Sequence, residues 1–207
     1  EGRDVVTRPI KGTRRRRSDP AEDARVRAEL AASEKDRAEN VMIVDLARND
    51  LGRVCETGSV EVTELFAIEE YATVFQLVSS VTGRLAPGRD ALDLVRAAFP
   101  PGSMTGAPKL AALRILDRLE PDARGFYGGA LGYFDLRGGA DLSVVIRTLL
   151  LREGRAELHV GGGIVADSDP AAEHQESMDK AAALLAALAS ADEEEIPAGG
   201  PAMGGEE

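Results

Sequence analysis

Carboxylates recur at a spacing of three in two places, Asp36 with Glu39 and Glu173 with Glu176. On a helix that spacing puts both members on one face. Two such faces meeting across a cleft would set four carboxylates around a hard cation, and magnesium favours oxygen donors while keeping several of its waters. A solvated helix surface gives the same pattern, and in a chain with 36 acidic residues that is the commoner origin. Gly102-Ser103-Met104-Thr105-Gly106-Ala107-Pro108-Lys109 is a glycine-bearing turn before a helix, whose backbone N–H groups suit a carboxylate or phosphate. It lacks the spacing of a Walker phosphate loop, and an ordinary turn fits it equally. Gly161-Gly162-Gly163 permits either close approach to a ligand or a sharp bend. Arg147 lies inside Val144–Leu150, an apolar run, where a semi-buried guanidinium requires an anion from the protein or from a substrate. Lys11, in Arg8-Pro9-Ile10-Lys11-Gly12-Thr13, has cationic neighbours that favour loss of its proton, the condition for a nucleophilic amine. A solvated loop lysine is the commoner case.

These residues need elements to hold them. Val5 and Val6 read as the end of a strand, and a site-like motif so near residue 1 implies sequence upstream. Asp19, Pro20 and Glu22 mark a helix start, followed by a charged helical stretch to about Arg37. The basic run Arg14–Arg17 reads as its solvated lead-in. The apolar block from Val41 to Leu46 continues as a helix to a stop at Gly52. Val60–Leu65 alternates as a strand, Val74–Val81 is apolar and packed, and Asp90–Phe99 and Lys109–Leu119 have helical spacing. Gly129–Asp135 and Leu142–Leu151 read as two strands joined by a hairpin turn at Arg137-Gly138-Gly139. Glu157–Val160 is a further strand, and a helix from Pro170 to Leu188 ends the folded part, 1–188. The Glu-, Gly- and Pro-rich tail, 189–207, is expected to be disordered. Strands and helices without a β-α-β rhythm indicate an α+β fold.

Composition removes several function classes. A net charge of −11 and 4% aromatic residues without tryptophan argue against nucleic acid and anionic membranes as partners. The single cysteine, Cys55, excludes an internal disulfide framework and reads as a small core residue. No apolar run has the length of a membrane span, and no signal peptide opens the chain, so the expected location is the cytoplasm.

In combination the motifs resemble the C-terminal half of the chorismate-binding enzymes, which include the anthranilate and aminodeoxychorismate synthases. The resemblance rests on Arg8–Thr13, Ala38–Asp50 (AENVMIVDLARND), Gly102–Lys109, Tyr127–Tyr133 (YGGALGY), Ile146–Thr148, Gly161–Ser168 (GGGIVADS) and Glu173–Lys180 (EHQESMDK), in family order. It implies part of a two-sheet α/β sandwich. It also implies a magnesium ion bound directly by Glu39 and Glu176, with Asp36 and Glu173 in support, which holds the ring carboxylate of chorismate and promotes loss of its C4 hydroxyl. Thr105, Gly106, Tyr133, Arg147, Gly161, Gly163 and Lys180 match substrate-contact positions, and Arg147 and Lys180 suit the second carboxylate.

Lys11 separates the branches. Anthranilate synthases usually carry alanine where this chain has Lys11, whereas the aminodeoxychorismate branch carries lysine. The resemblance therefore implies amination of chorismate to 4-amino-4-deoxychorismate, towards 4-aminobenzoate and folate, with Lys11 attacking the substrate and ammonia arriving from a glutamine amidotransferase partner. Gln76 stands where anthranilate synthases often have histidine; it can hydrogen-bond a leaving hydroxyl but is a poor proton donor. The other readings are an anthranilate synthase, and an inactive fragment or binding module derived from the family.

Overall fold

The structure, a computed structural model, describes residues 2–166 and 168–193. The chain divides into two compact units, Glu1–Val145 and Ile146–Glu207. Strands and helices alternate irregularly in both, as an α+β fold requires.

The first unit is organised by β4 (Val74–Arg84), the most deeply buried strand. The antiparallel strands β1 (Asp4–Thr7) and β2 (Ile10–Arg15) pair with successive stretches of β4, and β3 (Glu61–Glu70) pairs along most of its length. Phe75, Leu77, Ser79 and Val81 occupy alternate positions of β4 and so share one face. Onto it pack α1 (Pro20–Ala32) and α2 (Glu34–Gly52). Val26 and Leu30 close over Phe75 and Leu77, and Val44, Leu51 and Cys55 over Val81. A fully buried side chain of this size contributes about 1.5–3 kcal/mol, so this face anchors the unit.

The Asp19 side chain accepts from Glu22 N, with Pro20 opening α1 as its sequence predicts. The helical stretch expected to continue to Arg37 instead breaks at Ser33. That residue is extended, and its hydroxyl accepts from Asp36 N at 3.3 Å to start a second helix. The break therefore sets Asp36 and Glu39 in the opening turns of α2, and Gly52 is still helical, the cap falling on Arg53. Arg14–Arg17 is not a solvated lead-in: Arg14 and Arg15 belong to β2, and Arg16 donates to Asp23 and lies 4.4 Å from the Phe75 ring centroid. Downstream come α3 (Ala91–Ala98), α4 (Lys109–Leu119) and the hairpin β5 (Ala130–Phe134) with β6 (Ala140–Val144).

The second unit holds the hairpin β7 (Leu149–Arg152) with β8 (Arg155–Leu158) and the helix α5 (Pro170–Glu193). The strand expected over Leu142–Leu151 is thus two, interrupted at 145–148, where Arg147 has a φ of 49°. Arg147 is exposed rather than semi-buried, because the break removes the alternation that would have turned it inward. Helix α5 passes the expected end at Leu188, and residues 194–207 of the acidic tail lie outside the described residues. None of the described helices is long and apolar enough to cross a membrane.

Candidate active site

Lys11 lies in a strand, not a loop. Lys11 and Arg14 are three apart and would point to opposite faces of a regular strand. The register of β2 against β4 shifts between Ile10 and Thr13, and Gly12 has a φ of 91°. This irregularity resets the alternation, and both cations reach α2. Lys11 Nζ lies 3.4 Å from Glu39 Oε2, and Arg14 Nη2 lies 2.8 Å from Asp36 Oδ2. Gly12 is obligatory here: a Cβ would stand 2.9 Å from Asp36 Cγ and 2.9 Å from Leu30 Cδ1. The lysine and glutamate side chains are 19% and 18% exposed, so solvent reaches the pair without flooding it.

Ser79 ties these pieces together. Its N–H donates to Pro9 O at 3.0 Å, its hydroxyl accepts from Phe66 N at 3.1 Å and donates to Asn40 Oδ1 at 2.6 Å. One buried serine thus joins the segment before Lys11, the bulged strand β3, and the helix residue next to Glu39. Asn40 is also fully buried, and its Nδ2 has no hydrogen-bond partner among the described residues. Neither residue was singled out from sequence; the available signal was a polar side chain within each of two apolar stretches, Asn40-Val41-Met42-Ile43 and Leu77-Val78-Ser79-Ser80-Val81.

The turn ahead of α4 is fastened at both ends. Gly102 abuts Leu46 of α2, where a Cβ would stand 2.7 Å from Leu46 Cδ1. Lys109 Nζ donates to Asp50 Oδ2 at 2.6 Å and to Ala98 O at 3.0 Å. Burial outweighs this partner and holds the Asp50 carboxyl above the usual aspartate range. Arg124 Nη1 donates to Met104 O at 2.5 Å while its other nitrogens grip Glu120. Within the turn, Thr105 N and Gly106 N both donate to Gly102 O, at 3.2 and 3.1 Å. The turn's expected anion-binding donors Thr105 N and Gly106 N are therefore used internally, and among the described residues no side chain caps the first turn of α4. Tyr133 stands exposed on β5 opposite Asp141.

In the second unit Lys180 Nζ donates to Gly161 O at 3.0 Å and pairs with Glu176 Oε1 at 2.8 Å. Glu173 is buried and Oε1 accepts from the Ser168 hydroxyl at 2.7 Å. Gly162 lies close to the other oxygen: a Cβ there would stand 2.9 Å from Glu173 Oε2. Gly161, Glu173, Glu176 and Lys180 are thus brought together around the glycine triplet. Among the described residues no such contact joins Arg147 or Gly163 to them.

The model of the chorismate binding enzyme family matches residues 1–186. The chain belongs to the chorismate-binding enzymes. Over 93% of its length this family member is 57% identical to an aminodeoxychorismate synthase of Streptomyces pristinaespiralis, covering 28% of that protein. Over a like share it is 53% identical to anthranilate synthase component 1 of Streptomyces coelicolor, covering 38% of it. Among solved structures, anthranilate synthase component I from Streptococcus pneumoniae superposes with a TM-score of 0.78 at 41% identity, over 87% of this chain and 40% of that one. The chorismate-binding chain therefore spans well under half the length of these relatives.

The family resemblance implies magnesium, and the donors present suit it. All four candidates are carboxylates, the oxygen donors that magnesium favours. Among the described residues no three donors form a ready cluster, and Glu39, Asp36 and Glu176 each face a cationic side chain.

Proposed function

We propose that the protein aminates chorismate to 4-amino-4-deoxychorismate, on the path to 4-aminobenzoate and folate. The observation that carries this reading is Lys11 itself, an amine fixed on a strand beside Glu39 at the position where anthranilate synthases usually have alanine. An aminodeoxychorismate synthase component 1 of Klebsiella aerogenes, 54% identical over 90% of the chain, supports it.

In this reading the neutral Lys11 amine attacks C2 of chorismate. Both conjugated ring double bonds shift, and the C4 hydroxyl leaves as water after taking a proton. Ammonia then attacks C4, both double bonds shift back, and the Lys11 amine departs from C2 with its electron pair. The sum is chorismate plus ammonia giving 4-amino-4-deoxychorismate plus water. A covalent enzyme intermediate divides one difficult substitution into two allylic ones. A bound magnesium ion supplies a Lewis acid for the ring carboxylate. Glu39 on α2 and Glu176 on α5 are the side chains that would bind it directly, with Asp36 and Glu173 in supporting positions. Thr105, Gly106, Tyr133, Arg147, Gly161, Gly163 and Lys180 are the proposed substrate contacts. The exposed guanidinium of Arg147 suits the enolpyruvyl carboxylate. A glutamine amidotransferase supplies the ammonia.

The second reading, an anthranilate synthase, is favoured by the 53% identity to a protein of that name. Product identification after incubation with chorismate, magnesium and ammonia separates the two. 4-Amino-4-deoxychorismate is expected, and anthranilate formed directly overturns the proposal.

A further inference from the structure

The two α2 carboxylates offered to a cation already face cations of the protein, and the two contacts differ in kind. Asp36 is fastened: Arg14 Nη2 donates to Oδ2 at 2.8 Å, its own N–H donates to the Ser33 hydroxyl at 3.3 Å, and it packs so near Gly12 that a Cβ there would stand 2.9 Å from its Cγ. Glu39 is held loosely between two ammonium groups. Lys11 Nζ lies 3.4 Å from Oε2 and Lys35 Nζ lies 4.0 Å from Oε1, the latter lysine 63% exposed. A guanidinium fork holding one carboxylate oxygen against a packed backbone resists displacement, whereas a flexible ammonium at contact distance is readily replaced by a stronger cation.

We infer that Lys11 is an internal counter-ion that a divalent cation displaces from Glu39, and that Asp36 is not a ligand but a positioning residue that holds β2 against α2. This deepens the proposed function and rests on its metal reading. Strand β2 then carries two cations with separate duties. Arg14 stays on Asp36 and fixes the strand, while Lys11 yields Glu39 to the metal. The exchange is a competition for one carboxylate, so removing the competitor strengthens metal binding.

The test is Mn²⁺ binding to the purified protein without substrate, read from the free-ion electron paramagnetic resonance signal. Lys11→Met is expected to bind Mn²⁺ about fivefold more tightly than wild type, the scale of one partly exposed ion pair. Lys35→Met, a change on an exposed helix surface that leaves the fold intact, is expected to shift affinity the same way but less. Asp36→Asn keeps the acceptor oxygen for Arg14 and is expected to stay within about twofold of wild type, whereas Glu39→Gln loses the site. Unchanged or weaker binding in Lys11→Met, or loss of binding in Asp36→Asn equal to that of Glu39→Gln, overturns the inference and leaves the metal reading standing. No Mn²⁺ binding by wild type or any variant overturns the metal reading and the inference together.

Discussion

The Ser79 hydroxyl donates to Asn40 Oδ1 at 2.6 Å between two fully buried side chains, and so locks the central strand of the sheet to the helix that carries Glu39. Removing that hydroxyl leaves the buried Asn40 Oδ1 and the half-buried Phe66 N without that partner. Ser79→Ala is therefore expected to cost about 2 kcal/mol in urea denaturation, well above the effect of removing an exposed hydroxyl such as that of Ser190.

Gly12 is placed under two constraints at once, a φ of 91° and a Cβ direction filled by Asp36 and Leu30. Gly12→Ala is expected to lower stability by about 1–3 kcal/mol and to lower turnover, since the side chain forces β2 away from α2. Thermal unfolding beside kcat measures both; an unchanged Tm contradicts the packing described here.

Sequence reading reached different depths at different places. The cap at Asp19 and the helix Lys109–Leu119 were legible because capping and periodicity are local signals. Asp36 and Glu39 were legible as an i,i+3 pattern but not as a site, because their partners Arg14 and Lys11 come from a strand more than twenty residues away. Lys11 itself read as a loop residue: the glycine and proline beside it mark turns, and only the register of β4 shows that they make a bulge in a strand. The Leu142–Leu151 run misled in the opposite direction, since apolar content continues through a backbone break at Arg147 that sequence does not mark. Asn40, Ser79, Asp50 and Lys109 were passed over because a buried polar residue is recognised by its partner, and partners are a matter of tertiary structure.

The Asp50–Lys109 pair, with side chains 9% and 14% exposed, is expected to be costly to break from one side. Asp50→Ala leaves a half-buried ammonium held only by the Ala98 carbonyl among these partners, with an expected loss of about 2–3 kcal/mol. The double variant Asp50→Leu with Lys109→Met is expected to recover much of that loss, because it removes both charges. Equilibrium denaturation of the single and double variants gives the comparison.

Asp23 governs part of the acid response. The hydrogen bond from Arg16, reinforced by Arg17 N, holds its carboxyl below the usual aspartate range. A depressed folded-state pKa contributes stability that is present above the unfolded value of 3.8 and is lost as pH falls through the folded value. Asp23→Asn is thus expected to be less stable than wild type at neutral pH, with the difference closing as the medium is acidified below the ordinary aspartate range. Tm measured across that range checks the sign; a gap that widens in acid contradicts it.

The central claim is that Lys11 becomes covalently attached to the substrate. Intact-protein mass spectrometry after mixing with chorismate and magnesium, without ammonia, tests it most directly. The account predicts a species heavier than the protein by chorismate less one water, mapped by peptide analysis to Lys11 and absent from Lys11→Ala. A protein that turns chorismate over with ammonia yet shows no such species, or shows it equally in Lys11→Ala, contradicts the account.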